Sequence, residues 1–247
     1  MGIDASTRYR WYGHSCWEIV SPGGVHILLD PWFSNPKSPT RPEQVTACDL
    51  LLLSHGHFDH ADDAIPLASR LRPDWPCIHE LSLWLGRHLP GGSQSVVAMN
   101  KGGMVEMKGI KVTMVSADHS AGDWSTGIQA FENPAPVYLG EPVGFVIEME
   151  NGHRVYFAGD TQVFGDMRLI AELYRPDVAI LPIGGHFTMG PREAALAVEL
   201  LGVDTVVPTH FGTFPILAGT PEALREELSK RGVRADVVAT EPGGQLG

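Results

Sequence analysis

Three histidines and one aspartate stand within six consecutive positions of the 247-residue chain, in the segment His55-Gly56-His57-Phe58-Asp59-His60. Imidazole nitrogens and carboxylate oxygens are ligands for zinc and similar divalent cations. Side chains two residues apart in an extended chain point the same way, so His55 and His57 can present their rings to one ion. Asp59 and His60 can then face a second ion at the following turn. A polar loop with solvated histidines is the weaker interpretation, because this density of ligands exceeds what one ion needs.

The hydrophobic pattern predicts the elements that must position this motif. The apolar run 50–53 directly precedes it and predicts a buried strand, after which Gly56 is expected to let the backbone bend. Asn151-Gly152, between two apolar runs, predicts a tight hairpin turn. Strands are predicted at 9–20, 25–30, 49–54, 94–99, 143–150, 153–158, 177–182 and 205–208, with a strand pair at 103–115, and helices at 62–71, 81–89, 166–174, 191–201 and 220–232.

This alternation is typical of the α/β class. Both halves place strands first and helices afterwards, which suggests an αββα sandwich: two sheets packed face to face with helices outside. No linker rich in proline, glycine or serine interrupts the chain, so we expect one domain over residues 1–247. The segment 120–142 lacks a clear period and is long for a connection. Its aromatic residues predict one wall of a substrate pocket, and they are Trp124, Phe131 and Tyr138.

Composition narrows the classes of protein. Basic residues number 18 and acidic residues 29, a formal net charge of −11, which disfavours long nucleic acids and anionic membranes as partners. The hydrophobic fraction of 43% is ample for a folded core. The first ten residues are polar and no apolar run approaches the roughly 18 residues of a membrane span, so a cytoplasmic location is expected. Three cysteines without CxxC spacing predict neither disulfides nor a thiolate zinc site.

The HxHxDH pattern resembles the signature of the metallo-β-lactamase superfamily, whose fold is an αββα sandwich. The resemblance implies further ligands at later strand ends. His119, after the apolar run 112–115, is similar to the third histidine of the first metal site. Asp160, in the sequence AGDT, is similar to the carboxylate that bridges both ions, and His210, in VPTH, to the last histidine of the second site. The implied first site is His55, His57 and His119, the second is Asp59, His60 and His210, and Asp160 is shared.

Other motifs are similar to those of small bacterial and archaeal metal-dependent hydrolases related to the L-ascorbate-6-phosphate lactonases. They span most of the chain: GHS at 13–15, LDPW at 29–32, AGDT at 158–161, LPIGGHFTMGP at 181–191 and PTHFGTFP at 208–215. Trp11, Cys16 and Trp17 depart from the aliphatic residues expected near the start. These departures, like the long segment 120–142, predict an altered substrate pocket.

Two further histidines, His14 and His186, lie in such motifs after apolar runs. A neutral imidazole there can hold substrate or protonate a leaving group, while a hydrogen-bonded loop histidine is the open alternative. Asp30, which closes a strand before Pro31, is interpreted as a support for the ligands rather than a catalytic carboxylate. The residues to which catalytic roles are assigned are Asp59, Asp160, His186 and His14.

The expected cofactor is a pair of divalent ions, zinc first, with manganese, iron, cobalt or nickel as alternatives. Such a pair lowers the pKa of a shared water and supplies a bridging hydroxide, so no serine or cysteine nucleophile is needed. The chain contains no GxSxG elbow, P-loop or GxGxxG fingerprint.

Three functions remain open at this point. The favoured one is hydrolysis of a small ester-like substrate, a lactone or a carboxylic ester. The first alternative is a phosphodiesterase or nuclease with the same dinuclear site. The less favoured one is a non-hydrolytic metal-binding protein. The expected partner is a small-molecule substrate. Assembly of several copies of the chain into a homo-oligomer is left open.

Overall fold

The computed structural model describes residues 2–90, 95–122 and 137–247. Two larger β-sheets and a short parallel pair account for its strands. None of the described helices combines the length and apolar character needed to cross a membrane. Trp124 and Phe131, two of the aromatics predicted to line a substrate pocket, lie outside the described residues, and Tyr138 is exposed.

The first sheet brings together the two ends of the chain. It has the order β14-β1-β2-β3-β4, where β1 is Arg8–Trp11, β2 is Trp17–Val20, β3 is His26–Leu29, β4 is Leu50–Leu52 and β14 is Gln245–Leu246. Neighbouring strands are antiparallel except for β3 and β4, which are parallel and pair Leu29 with Leu52. The carboxyl ends of β3 and β4 therefore lie side by side.

The second sheet is larger, and its strands lie side by side in the reverse of their order along the chain. Its order is β13-β12-β11-β10-β9-β8-β7, where β7 is Met104–Met107, β8 is Ile110–Ser116, β9 is Val143–Glu148, β10 is Arg154–Phe157, β11 is Val178–Pro182, β12 is Thr205–Thr209 and β13 is Asp236–Val237. Strands β8 and β10 are each antiparallel to β9, and β10, β11 and β12 are parallel. The carboxyl ends of β8, β10 and β12 therefore share one edge.

Helices follow the strands at short intervals. They are α1 (Phe58–Ala61), α2 (Ala64–Leu71), α3 (His79–His88), α4 (Met167–Tyr174), α5 (Pro191–Leu201) and α6 (Pro221–Arg231), and β5 (Trp75–Ile78) pairs in parallel with β6 (Val96–Met99). Helix α6 begins as predicted: Thr220 accepts a hydrogen bond from the backbone of Ala223, Pro221 is its first residue, and Gly232 ends it with φ of 69°.

The alternation of buried side chains separates two hydrophobic layers. Along β10, Val155 and Phe157 belong to one cluster with residues of the first sheet such as Ile27, whereas Tyr156 belongs to another with Ala194 of α5. The second sheet is thus covered by the first sheet on one face and by α4, α5 and α6 on the other. Leu67 of α2 and Leu81 of α3 pack with the first cluster. The predicted αββα sandwich is confirmed.

One predicted strand was wrong, and two short elements were not predicted. The predicted strand 9–20 is a pair of strands, because Gly13 and His14 both adopt positive φ angles and reverse the chain between β1 and β2. Strand β5 was not predicted, since Pro76 interrupts its apolar run, and the single-turn helix α1 is too short to show a period.

The contact between the two sheets is testable at Phe145, which is fully buried in β9. Phe145→Ala should lower the free energy of unfolding by about 3–5 kcal/mol, because it removes buried apolar surface and leaves a cavity. Urea unfolding followed by circular dichroism measures this change. Leu173→Ala, on the exposed face of α4, is the control and should change stability by no more than about 0.5 kcal/mol. A loss below about 1 kcal/mol at Phe145 would contradict the proposed packing.

Candidate metal centre

The candidate metal ligands follow the carboxyl ends of strands from both sheets. His55, His57, Asp59 and His60 come after β4 of the first sheet, the last two within α1. Three segments of the second sheet's shared edge supply the rest, with His119 after β8, Asp160 after β10 and His210 after β12. The site is therefore built where one end of the sandwich brings both sheets together.

The first group of ligands is His55, His57 and His119. One ring nitrogen of each lies within 4.8 Å of the other two. Nε2 of His55 and Nδ1 of His57 are 2.8 Å apart, and the ring centroid of His119 is 5.2 Å from each of their rings. Two nitrogens bound tetrahedrally to one zinc ion lie about 3.3 Å apart, given zinc–nitrogen bonds of about 2.0–2.1 Å. The three rings are therefore close enough to share an ion.

The second group contains Asp59, His60 and His210, and the structure adds His14 to it. Ligand atoms of these four side chains again lie within 4.8 Å of one another. Nε2 of His210 is 3.9 Å from Oδ2 of Asp59. Without His14, the group combines two imidazoles with a carboxylate, a donor set that suits zinc and other divalent transition metals.

Asp160 lies between the two groups. Its Oδ2 is 3.7 Å from Nε2 of His119, 3.3 Å from Nε2 of His60 and 3.1 Å from Nε2 of His210. A single carboxylate oxygen thus approaches a ring of the first group and two rings of the second. This is the position that a ligand shared by two ions needs.

A buried network behind the ligands fixes the orientation of two rings. Asp30 is fully buried and accepts hydrogen bonds from the backbone N–H of Ser54 at 2.7 Å, the Ser54 hydroxyl at 2.6 Å and Nδ1 of His60 at 2.7 Å. Since the Ser54 hydroxyl donates to Asp30, it accepts from Nδ1 of His55 at 2.9 Å. Both rings therefore carry a proton on Nδ1 and turn Nε2 toward the centre.

In the described part of the chain, several buried polar atoms of the site have no hydrogen-bond partner. Nε2 of His60, Nε2 of His210 and Oδ1 of Asp160 are buried without a hydrogen bond. Buried polar groups are normally paired, and a buried carboxylate needs a compensating charge. Within the described ranges, the ion-pair partners of Asp30, Asp59 and Asp160 are histidines, with no lysine or arginine among them. Divalent cations fit this cluster of lone pairs and negative charge.

The protonation states suit metal binding in the first group. Burial, followed by the charge of His60, holds the pKa of His55 well below its usual value, and burial also lowers the pKa of His57 and His119. These rings are thus neutral, as metal ligands must be. Burial opposes charge on His60 too, but the carboxylates of Asp160 and Asp30 outweigh it and raise its pKa. Without a metal, His60 supplies part of the positive charge that the cluster lacks.

Two glycines allow the ligand segments to approach closely. Gly159 has φ of 62°, and a Cβ there would lie 2.5 Å from Cβ of Ser54, so only glycine fits between the β10 end and the hydrogen-bonded serine. Gly56 does not have the positive φ that a sharp bend would need. Its small size instead admits Leu139, whose Cδ1 would lie 2.7 Å from a Cβ at that position. The described end of the segment 120–142 therefore packs against the HxHxDH motif.

Strained backbone accompanies the site. His14, Asp30 and His210 have φ angles of 53°, 43° and 53°, in the left-handed region that non-glycine residues rarely adopt. Each such residue costs about 1–3 kcal/mol and persists only when the surrounding structure holds it. Hydrogen bonds from Asp118 to the β10 end give comparable support, since its backbone N–H donates to Thr161 and its carboxylate accepts from Gln162 at 2.6 Å.

The two remaining predicted residues have different surroundings. His186 is exposed, packs its ring on Phe187 and belongs to neither ligand group, so its contact with substrate stays a prediction. His14 is fully buried, and both of its ring nitrogens have partners: Nε2 lies 3.1 Å from Oδ2 of Asp59, and Nδ1 lies 3.0 Å from the hydroxyl of Thr213. The structure thus gives His14 a ligand as its neighbour instead of open space. Thr213 was not found by sequence reasoning.

The unusual tryptophans near the start support the site from behind. Trp11 and Trp17 are buried and stack on each other. Nε1 of Trp11 donates to the carbonyl of His14 at 2.9 Å, and Nε1 of Trp17 donates to the hydroxyl of Thr209 at 3.0 Å. Their described contacts thus anchor the segments that carry His14 and His210.

Comparisons with known proteins agree with this architecture. A family model described as a β-lactamase superfamily domain matches residues 26–211. A protein of Rubrobacter xylanophilus named a metal-dependent hydrolase is 44% identical over 242 residues, 98% of this chain and 96% of its own. Another of that name from Myxococcus xanthus is 48% identical over 237 residues, covering 96% and 82%. The structure of a metallo hydrolase from the archaeon Ignicoccus hospitalis superposes with a TM-score of 0.82 at 33% identity, covering 97% of both chains.

Removing metal should destabilise the protein, because the carboxylates of the site then stay buried without a cation. Thermal unfolding after EDTA treatment should occur at a lower temperature than after zinc is restored. A ligand present at 100 times its Kd stabilises by about 2.7 kcal/mol per site. EDTA already saturated with zinc is the control. Identical melting temperatures with and without zinc would contradict a metal site here.

The hydrogen bonds that Asp30 accepts lead us to expect that substituting this residue weakens zinc binding. Asp30→Asn replaces an acceptor of three hydrogen bonds by an amide, one end of which donates, so the rings of His55 and His60 lose their fixed orientation. Zinc affinity, measured by competition with a chromogenic chelator, should fall about 10–100-fold. Asp166→Asn is a matched exposed control, since its side chain does not cap α4. Equal affinities in both variants would show that Asp30 does not orient the ligands.

Proposed function

Because the chain belongs to the metallo-β-lactamase superfamily and is a metal-dependent hydrolase, we propose that it cleaves the ester-like bond of a small molecule, a lactone or a carboxylic ester. The observation that carries this proposal is the approach of one Asp160 oxygen to both ligand groups. When bound, two divalent ions supply a water of lowered pKa as nucleophile and polarise the carbonyl that it attacks.

The chain's own residues hold and orient the ligands. Hydrogen bonds from Nδ1 of His60 to Asp30 and from Nδ1 of His55 to Ser54 turn Nε2 of both rings toward the site, and burial keeps the first group neutral. Burial also lowers the dielectric around developing charge, which strengthens its stabilisation during attack on a carbonyl. We propose that Asp59 and Asp160 take part in catalysis as metal ligands.

The cysteines support a mechanism without a protein nucleophile. Cys16, Cys48 and Cys77 are all buried, and burial raises the pKa of each thiol, which disfavours the reactive thiolate. Their unpaired state also supports a reducing compartment, and we place the protein in the cytoplasm. We propose zinc as the metal, because three imidazoles around one position are a common zinc donor set.

The favoured substrate class rests on charge. A phosphodiester carries a negative charge that proteins usually meet with arginine or lysine. The chain has a net charge of −11, and in the described ranges the carboxylates of the site have histidines as their ion-pair partners. A small uncharged acyl group therefore fits this surrounding better than a phosphodiester does.

Metal analysis followed by a substrate panel tests the proposal. The purified protein is analysed for divalent metals, stripped, and reloaded with zinc, manganese, iron, cobalt or nickel. Each form is then assayed on lactones, carboxylic esters and phosphodiesters. We expect two equivalents of metal and the highest rates on lactones or esters. Faster phosphodiester cleavage would select the alternative hydrolase, and bound metal without hydrolysis of any substrate would contradict the proposal.

Asp160→Ala should lower the rate more than His186→Ala does, because the first change removes a ligand that both groups approach. We expect a loss above about 100-fold for Asp160→Ala, beyond the effect of removing a residue that only supports a ligand. His186 is exposed and touches substrate at most. Rates are measured with metal content determined for each variant and folding checked by circular dichroism. Equal losses at equal metal content would contradict this ranking.

A further inference from the structure

We propose that His14 is a positioning residue of the second ligand group, orienting Asp59 through its side chain and His210 through its backbone. The inference rests on the proposed metal site. It adds a support that joins ligands from the two sheets, since Asp59 lies in α1 after the first sheet's β4 and His210 follows β12 of the second.

The side-chain contacts define the tautomer of His14. Oδ2 of Asp59 can only accept a hydrogen bond when ionised, so Nε2 of His14 at 3.1 Å carries the proton and donates it. Nδ1 is then an acceptor, and the Thr213 hydroxyl at 3.0 Å donates to it. The opposite tautomer would place a nitrogen lone pair against a carboxylate oxygen. Asp59 therefore selects this ring state, and the Thr213 hydroxyl satisfies the second ring nitrogen.

Asp59 needs such a partner. Its side chain is 19% exposed, and a carboxylate that is largely removed from water needs a hydrogen-bond donor. In the described part of the chain, His14 is its hydrogen-bond donor. The hydrogen bond from His14 holds Oδ2, the same oxygen that lies 3.9 Å from Nε2 of His210, and the direction of this oxygen determines how the carboxylate meets an ion.

The backbone of His14 holds the other ligand. Its carbonyl accepts hydrogen bonds from the N–H of His210 at 3.0 Å, the hydroxyl of Thr209 at 2.7 Å and Nε1 of Trp11 at 2.9 Å. The rings of His14 and His210 have centroids 4.0 Å apart. The turn between β1 and β2 thus holds the end of β12 through these hydrogen bonds. His14 has the left-handed backbone conformation within this turn.

Two substitutions test the hydrogen bond to Asp59 separately from the contact between the rings of His14 and His210. His14→Phe keeps an aromatic ring against His210 but donates no hydrogen bond to Asp59. His14→Gln keeps an N–H donor at a similar reach but no ring. His88→Phe, at an exposed helix end, is the matched control. Each protein, stripped of metal, is titrated with Co²⁺, and the visible absorption of the bound ion is followed for each equivalent.

His14→Phe should bind the first equivalent as the wild type does and the second about 10–100-fold more weakly, with an altered second spectrum. His14→Gln should recover most of that affinity and the wild-type spectrum. Unchanged binding of both equivalents by His14→Phe would overturn the inference, as would a His14→Gln variant as weak as His14→Phe.

A second variant covers failure to fold. If His14→Phe does not fold, Thr213→Val removes the donor to Nδ1 and should weaken the second equivalent in the same direction, whereas no change would overturn the inference. The wild-type titration separates the two proposals. Fewer than two bound ions in the wild type would refute the proposed dinuclear function, while two ions bound equally by wild type and His14→Phe would refute only the role of His14.

Discussion

The site depends on the burial of the Asp30 carboxylate between the ends of β3 and β4. Removed from water, this group must receive hydrogen bonds, and the donors available are the backbone and hydroxyl of Ser54 and the ring of His60. Satisfying Asp30 therefore also decides which nitrogen of His60, and through Ser54 of His55, remains free to bind. The buried Asp30 carboxylate thus determines which nitrogens of His55 and His60 face the metal site.

The two sheets extend this constraint to the other ligands. Strands β8, β10 and β12 run the same way, so three turns meet at one edge and bring His119, Asp160 and His210 beside the motif from β4. Gly159 permits the approach of the Asp160 turn to Ser54, and the tryptophans behind His14 and Thr209 hold the turns of His14 and His210. Packing between the sheets is hydrophobic and non-directional. It nevertheless brings together polar side chains whose positions must be accurate to a few tenths of an ångström.

Local signals could be found in the sequence, and distant ones could not. The spacing of His55, His57, Asp59 and His60 indicated ligands because all four follow one strand. His119, Asp160 and His210 were identified only through family resemblance, since nothing in a pattern of apolar residues says which strand ends meet. Asp30 was interpreted as a support, and its contacts agree. The bond between His14 and Asp59 spans 45 positions, and that between His14 and Thr213 spans 199, so neither leaves a periodic trace.

The left-handed backbone at His14, Asp30 and His210 has a consequence for protein engineering. Asparagine adopts such a conformation more readily, so substitution there can relieve strain in the chain stripped of metal. The same change removes a ligand or its support. A laboratory selection for heat resistance without metal would therefore enrich stable variants with an impaired site, and a screen for a heat-resistant catalyst has to measure turnover in every round.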